Sequence, residues 1–472
     1  MTTKLSILGL VRIIQAGMGV NISSWVLARI AAIIGGWGTV SGVAPDRILA
    51  LALQQGDVGG HYRRALSHFP FPEIAQMVID AYYIPEGNPN KQPLKAVPVY
   101  SVNPSKLLIS LIVCANFAFV WLAKEGHNNT ISINYLEKIA MPHMYAITGA
   151  MLAGVDAITV GAGIPLQITG IINALLEGKV LKYLVPVVGE KESYEMSFDP
   201  EKFFGAKLLN LKKPKFLPII SSNVLAEVLL KKLPAGSIFG FIVETSTAGG
   251  HNAPPRIKGV FNEHGDPVYS EKDKVNYINL AKLGLPFWIG GSYASPEMLA
   301  WALQQGAAGI QVGSAFALCE ESGLRHDLKV EARRLAFLGQ STIRTSPCIS
   351  PSGFPFKVAM INGTLSEENV YKSRVRVCDK GVLVVLYKKA DGSIGYRCSA
   401  EPVEDFVRKG GKIEDTIGAG CICNGLITTA GLKNGDEPPI VTLGDDLRFA
   451  RILMTNENSS YTAEDVYKYL LS

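Results

Sequence analysis

Residues 244–255 read ETSTAGGHNAPP and follow directly on the apolar run GSIFGFIV. Two glycines, Gly249 and Gly250, and one titratable ring, His251, therefore stand where a buried strand should end. Glycine lets a backbone turn sharply or approach a ligand closely. Imidazole is the side chain best matched to moving protons near neutral pH. Glycine beside a polar side chain recurs after two further apolar runs, in IGGSY (289–293) and VGSAF (312–316). There Gly290, Gly291 and Gly313 permit close backbone approach while Ser292 and Ser314 add hydroxyl donors. Backbone N–H groups and hydroxyls of this kind hold phosphates.

Other chemistry has less support. His61, His68, His127, His143, His264 and His326 form no His-x-x-x-His pair and join no carboxylate at metal spacing. Glu125-Gly126-His127 could bring a second proton-transfer group, but reads more simply as a solvated loop. Cys378, Cys398, Cys421 and Cys423 could offer four thiolates to zinc, yet they lack the paired knuckle spacing of zinc modules. Free thiols are the plainer reading, and no metal is expected. No G-x-S-x-G elbow, phosphate loop or H-E-x-x-H motif is present.

The elements that must position these residues follow a rhythm. There are eight short apolar runs, at 12–19, 38–42, 131–136, 157–163, 215–222, 238–246, 286–293 and 308–316, most of them ending in glycine or a small polar residue. Most are followed by a helical pattern. Continuous apolar strands alternating with amphipathic helices imply parallel strands buried on both faces. Eight such units predict an α/β fold, a (β/α)8 TIM barrel over residues 1–345. Two stretches break the spacing: a long insertion after the second strand, about 44–128, and a shorter one, about 180–214. The first carries the helical pattern of 61–83 and then the Pro- and Asn-containing IPEGNPNKQP. Beyond a Pro/Ser/Gly-rich crossing, residues 346–472 form a small α+β appendage with a hairpin turning at Asp391-Gly392 and a final helix in TAEDVYKYLL.

Composition bounds the rest. Hydrophobic residues make up 48% and charged residues 18%, which suits a large buried core and excludes a disordered chain. The net charge of +5 is scattered, with no basic stripe, so nucleic acid is not an expected partner. No secretory pattern is visible at the N-terminus and the cysteines are few and odd in number, so a cytoplasmic protein with reduced thiols is expected. The seventeen largely apolar residues 107–123 reach the lower limit of a membrane span. A buried strand running into a core helix is the favoured reading, with no membrane.

In barrels the active site lies at the C-terminal strand ends, with a phosphate held by the loops after strands seven and eight, here the Gly290 and Gly313 turns. With IIQAGMG at the first strand, GVDAITVGAGIP at the fourth, TAGGHNAPP at the sixth and PFWIGGSYASPEMLAWALQQGAAGIQVGSAFALCEES over the last two, the chain resembles the FMN-dependent nitronate monooxygenases, once called 2-nitropropane dioxygenases. Their relatives are the FMN-dependent enoyl-acyl-carrier-protein reductases. The resemblance covers most of 10–325. It implies a non-covalent FMN with Ala16, Gly17 and Met18 along its ring, and Asn134 of ISINYL near it, with Asn116 of CANF competing for that role. Gly161 and Gly163 suit a close approach to the cofactor, and Ser222 is a further polar contact. His251 would be the catalytic base. The implied reaction is oxidation of nitronates or nitroalkanes with O2; the alternative is an NAD(P)H-dependent enoyl-thioester reductase served by an acyl carrier protein.

Overall fold

A computed structural model describes residues 10–88, 92–432 and 437–472. Residues 1–9 of the N-terminal patch and 89–91 of IPEGNPNKQP lie outside it. Each of the eight apolar runs contains a strand: β1 Ile13–Gln15, β2 Gly38–Ser41, β3 Ile131–Leu136, β4 Ala157–Gly161, β5 Lys215–Ile220, β6 Phe241–Glu244, β7 Phe287–Gly290 and β8 Gly309–Val312. All neighbouring pairs are parallel, in sequence order from β2 through β8, and β8 returns to β1 with Ile13 opposite Ile310 and Gln15 opposite Val312. The ring closes between β1 and the start of β2. There Trp37 N–H donates to the Ile13 carbonyl and Gln15 N–H to the Trp37 carbonyl, both at 3.0 Å. The fold is a (β/α)8 TIM barrel.

Strand periodicity then decides what stands at the rim. Side chains two apart share a face, so Trp288 and Gly290, Ile242 and Glu244, and Leu217 and Ile219 all point inward as pairs. The first member of each pair fills the barrel and the second reaches its C-terminal mouth. Trp37 and Trp288 meet edge-to-face at 5.7 Å among Ile14, Ala157, Leu217, Ile242 and Ala308 and plug the N-terminal end. Above them lies a hydrogen-bonded polar layer: Gln15 Oε1 accepts from Thr39 N–H at 2.9 Å, and Ser132 donates to the Thr39 hydroxyl at 2.7 Å.

Between β2 and β3 lie helices Pro45–Gln54, His61–Ser67, Pro72–Tyr82 and Lys106–Lys124. The last corrects the expectation of a strand running into a helix, for it is helical over all 19 residues. A run apolar on every side has no period by which strand and helix separate. Ser105 caps it by accepting from Leu108 N–H, and its internal polar side chains bond back one turn, Ser110 to the Lys106 carbonyl and Asn116 to the Ile112 carbonyl, each at 2.8 Å. It is long and apolar enough to cross a membrane, but 78% of its most apolar window is buried against the rest of the chain. Helix His143–Leu152 lies so close that a Cβ on Gly149 would fall 2.1 Å from the Val113 carbonyl oxygen.

The second insertion forms an antiparallel pair, Leu181–Val185 with Tyr194–Phe198. Beyond the barrel, Ile343–Ser346 pairs with Phe356–Ala359, and Val385–Lys388 with Ile394–Arg397 across the Asp391-Gly392 turn, where Gly392 takes φ +83°. The final helix is Ala463–Leu470. This region shares one continuous core with the barrel through Phe356, Leu426, Leu443 and Phe449.

Candidate active site

A single cavity occupies the C-terminal mouth of the barrel, enclosing about 1290 Å³ of atom-free space that opens to solvent. Its wall brings together residues that the sequence scatters across 300 positions. Ala16, Gly17 and Met18 follow β1; Asn134 stands on β3, Gly161 on β4, Gly249, Gly250 and His251 after β6; Gly290, Gly291 and Ser292 close β7, and Gly313 and Ser314 close β8. Ser222 is one of two exceptions among the predicted contacts. It caps helix Asn223–Lys232 by accepting from Leu225 N–H at 3.2 Å and does not line the cavity. Its place after β5 is that of an N-cap, and the rim position of that strand goes to Ile219. Gly163 also stays outside the wall, its backbone packed on Glu137.

The two candidate asparagines separate. Asn134 packs against Gly17, where a Cβ would fall 2.2 Å from the Asn134 Cβ, so only glycine fits at the end of β1. Its Oδ1 accepts from Thr159 at 2.7 Å, and the residue lines the cavity. Asn116 sits inside helix Lys106–Lys124, where its Oδ1 accepts from Tyr135 at 3.0 Å, away from this wall. Glu125 and His127 lie outside it too: Glu125 pairs with Arg64 at 2.9 Å, and His127 bonds the Ala123 carbonyl at 2.7 Å.

The phosphate-type features are concentrated at β7. Gly291 and Ser292 both take left-handed backbone, φ +98° and +59°. The Ser292 hydroxyl is buried and has no hydrogen-bond partner among the described residues. Buried hydroxyls are normally paired, so this one fits a ligand acceptor. Gly290 and Gly313 are not crowded, since a Cβ added to either would make only ordinary contacts, none nearer than 3.5 Å. Ser314 is already engaged, accepting from Gly444 N–H at 2.8 Å.

His251 has a defined setting. Its Nε2 lies 2.8 Å from Ser350 Oγ and its ring packs edge-on against Phe356 at 4.9 Å. The loop pairs with the strand after the barrel: Lys357 N–H donates to the Gly250 carbonyl and Asn252 N–H to the Pro355 carbonyl. Burial disfavours the imidazolium and pulls the His251 pKa down to about 4, so the ring is neutral near pH 7. At the end of β6, burial acts oppositely on Glu244 and pushes its carboxyl up to about 8. The site therefore holds a neutral base and a protonated acid at neutral pH.

No family model matches the chain, and no curated protein matches it. Solved structures do. FabK from Thermotoga maritima is similar at 12% identity and a TM-score of 0.47, over 98% of this chain and 91% of that one. A nitroalkane oxidase from Streptomyces ansochromogenes is similar at 13% identity and 0.42, over 98% and 96%. The enoyl reductase domain of MlnA from the macrolactin biosynthesis cluster of Bacillus amyloliquefaciens is similar at 10% and 0.46, over 97% and 93%.

Sequence reasoning missed two kinds of lining residue. Glu244 and Gln311 stand at the C-terminal ends of β6 and β8, and strand parity could have placed both on the inner face. Leu426, Thr442, Leu443, Gly444, Asp446 and Phe449 come from beyond the barrel, and nothing local in their sequence marks them. The segment is laced down at four points. Gly250 N–H donates to Thr442 at 2.7 Å, Asp445 N–H to the Thr247 carbonyl, and Gly444 N–H to Ser314, while Lys357 pairs with Asp445 at 2.6 Å. The late cysteines take no part in this wall: Cys398, Cys421 and Cys423 are buried and Cys378 is half-buried, all as free thiols. No group of three or more His, Cys, Asp or Glu among the described residues is arranged to hold a metal.

Proposed function

We propose that this protein is an FMN-dependent oxidoreductase that oxidises alkyl nitronates and nitroalkanes with O2. The observation that carries the reading is a neutral His251 facing a glycine-lined cavity whose one buried, unpartnered hydroxyl, Ser292, sits on the left-handed turn after β7. These residues fit the cofactor. Gly290 and Gly313 would let phosphate oxygens approach the backbone, Ser292 would donate to one of them, and Ala16–Met18 with Asn134 would flank the ring. When bound, FMN supplies a reversible two-electron acceptor.

The chain's own residues handle the proton and the charge. A nitroalkane must lose a proton from the carbon bearing the nitro group, and negative charge develops on the nitro oxygens. His251, uncharged before the event, takes that proton and then holds the anion as imidazolium. Glu244, protonated at neutral pH, adds an O–H donor to the same space. Water is limited by the apolar wall that Leu443 and Phe449 contribute.

One observation favours a second reading. Leu426, Leu443 and Phe449 give the cavity an apolar side suited to an acyl chain. That supports an NAD(P)H-dependent enoyl-thioester reductase acting on carrier-bound substrates. The purified protein is expected to be yellow, with flavin absorption bands. Anaerobic bleaching by a nitronate but not by NADPH supports the oxidase, and rapid bleaching by NADPH supports the reductase. Colourless protein that takes up no added FMN would overturn both.

A further inference from the structure

The segment beyond the barrel supplies the partner of His251, and that partner is Ser350. Its side chain is 3% exposed, and its Oγ lies 2.8 Å from Nε2 of the imidazole. The hydroxyl is held from behind: Ser352 N–H donates to Ser350 Oγ at 3.3 Å, and the two hydroxyl oxygens are 2.7 Å apart. Ser352 in turn accepts from Phe354 N–H at 3.3 Å. Nδ1 of His251 has no hydrogen-bond partner among the described residues.

Hydrogen counting leaves two arrangements. Ser350 has one hydrogen and two lone pairs, one of which receives Ser352 N–H. In the first arrangement His251 Nε2–H donates to the remaining lone pair of Ser350, whose own hydrogen goes to Ser352 Oγ; Nδ1 then carries a lone pair. In the second, Ser352 donates to Ser350 and Ser350 to Nε2, so Nδ1 carries the hydrogen. Only the first leaves a basic nitrogen that is not already bonded. In that arrangement a proton arriving at Nδ1 disturbs nothing, because Nε2–H already points at an acceptor.

We infer that Ser350 is a positioning residue that fixes His251 as the Nε2–H tautomer, with the Nδ1 lone pair free toward the cavity. This rests on the proposed role of His251 as base. The part of the chain after the barrel would then complete the proton-transfer site as well as walling the cavity. Tautomer selection by the partner of the second ring nitrogen is a general property of functional histidines.

The test uses the full-length protein with ¹⁵N-labelled histidine. The wild type is expected to show a His251 resonance pair with a protonated Nε2 and an unprotonated Nδ1 at pH 7. Ser350→Ala is expected to give a mixture of tautomers and about a tenfold fall in kcat on a neutral nitroalkane, with little change in KM. Ser350→Thr, which keeps the hydroxyl, is expected to restore both. A wild-type Nδ1–H signature overturns the inference, as does an unchanged tautomer in Ser350→Ala. The function reading fails separately: full turnover in His251→Ala would remove the base while leaving the tautomer measurement intact. If Ser350→Ala does not fold, the wild-type spectrum decides alone.

Discussion

Two glycines of the rim should respond differently to the same change, and the difference isolates ligand binding from folding. At Gly313, φ is −106°, which alanine adopts freely, and a Cβ would lie 3.7 Å from the Ala16 Cβ and 3.8 Å from the Met18 sulfur. Those are ordinary contacts with other members of the cavity wall. Gly313→Ala should therefore alter folding stability by no more than about 0.5 kcal/mol. The added methyl stands where backbone and cofactor are proposed to touch, so flavin Kd should rise at least tenfold, about 1.4 kcal/mol. At Gly17 the added Cβ would lie 2.2 Å from the Asn134 Cβ, about 1.2 Å short of the 3.4 Å at which ordinary contact begins. Either β1 or Asn134 has to move, and overpacking of that size costs about 1–3 kcal/mol. Gly17→Ala should lose stability as well as flavin. Thermal melting of the apoprotein reads the first quantity, and quenching of FMN fluorescence on titration reads the second. A Gly313→Ala protein that melts like the wild type and binds FMN with unchanged Kd would refute the placement of the cofactor against the β8 turn.

The two asparagines give another contrast. Asn134→Ala should weaken flavin binding, whereas Asn116→Ala should leave the flavin spectrum unchanged and lower stability by about 1–3 kcal/mol, because the Tyr135 hydroxyl loses its buried acceptor. Glu244 should make its mark in pH dependence. Its folded pKa of about 8 lies above the unfolded carboxylate value, so the native state keeps a proton that the unfolded chain has released. The associated stability is complete below the unfolded pKa and is lost as pH rises toward 8, so Glu244→Gln should flatten the melting profile between pH 5 and about 8. For His251 the sign reverses. Its folded pKa of about 4 is depressed, so stability is lost as pH falls from the unfolded value of about 6.5 toward 4, and His251→Ala should remove that slope. The same variant should retain flavin and lose about 10²-fold or more in turnover of neutral nitroalkane; unchanged turnover with full flavin occupancy would eliminate the proton role.

The sequence by itself determined the barrel. Each of the eight apolar runs contains its strand, because a parallel strand buried on both faces has to be continuously apolar and has to end where the chain turns into a helix. It also marked part of the wall, 13 of its lining residues, chiefly glycines and small polar residues at strand ends. What it left open depended on which residues meet across the fold. Asn116 and Asn134 each follow an apolar run, and only the continuous helix Lys106–Lys124 takes the first away from the mouth. Ser222 ends an apolar run as well, yet a helix starting directly after it claims the hydroxyl as a cap. The tertiary structure alone decided that Thr442, Leu443, Gly444, Asp446 and Phe449 wall the cavity and that Ser350 grips His251 from 99 residues away in the chain. Such contacts are between segments remote in sequence. Neither a local period nor a short motif encodes them, since they depend on how the closed barrel and the chain beyond it pack into one core.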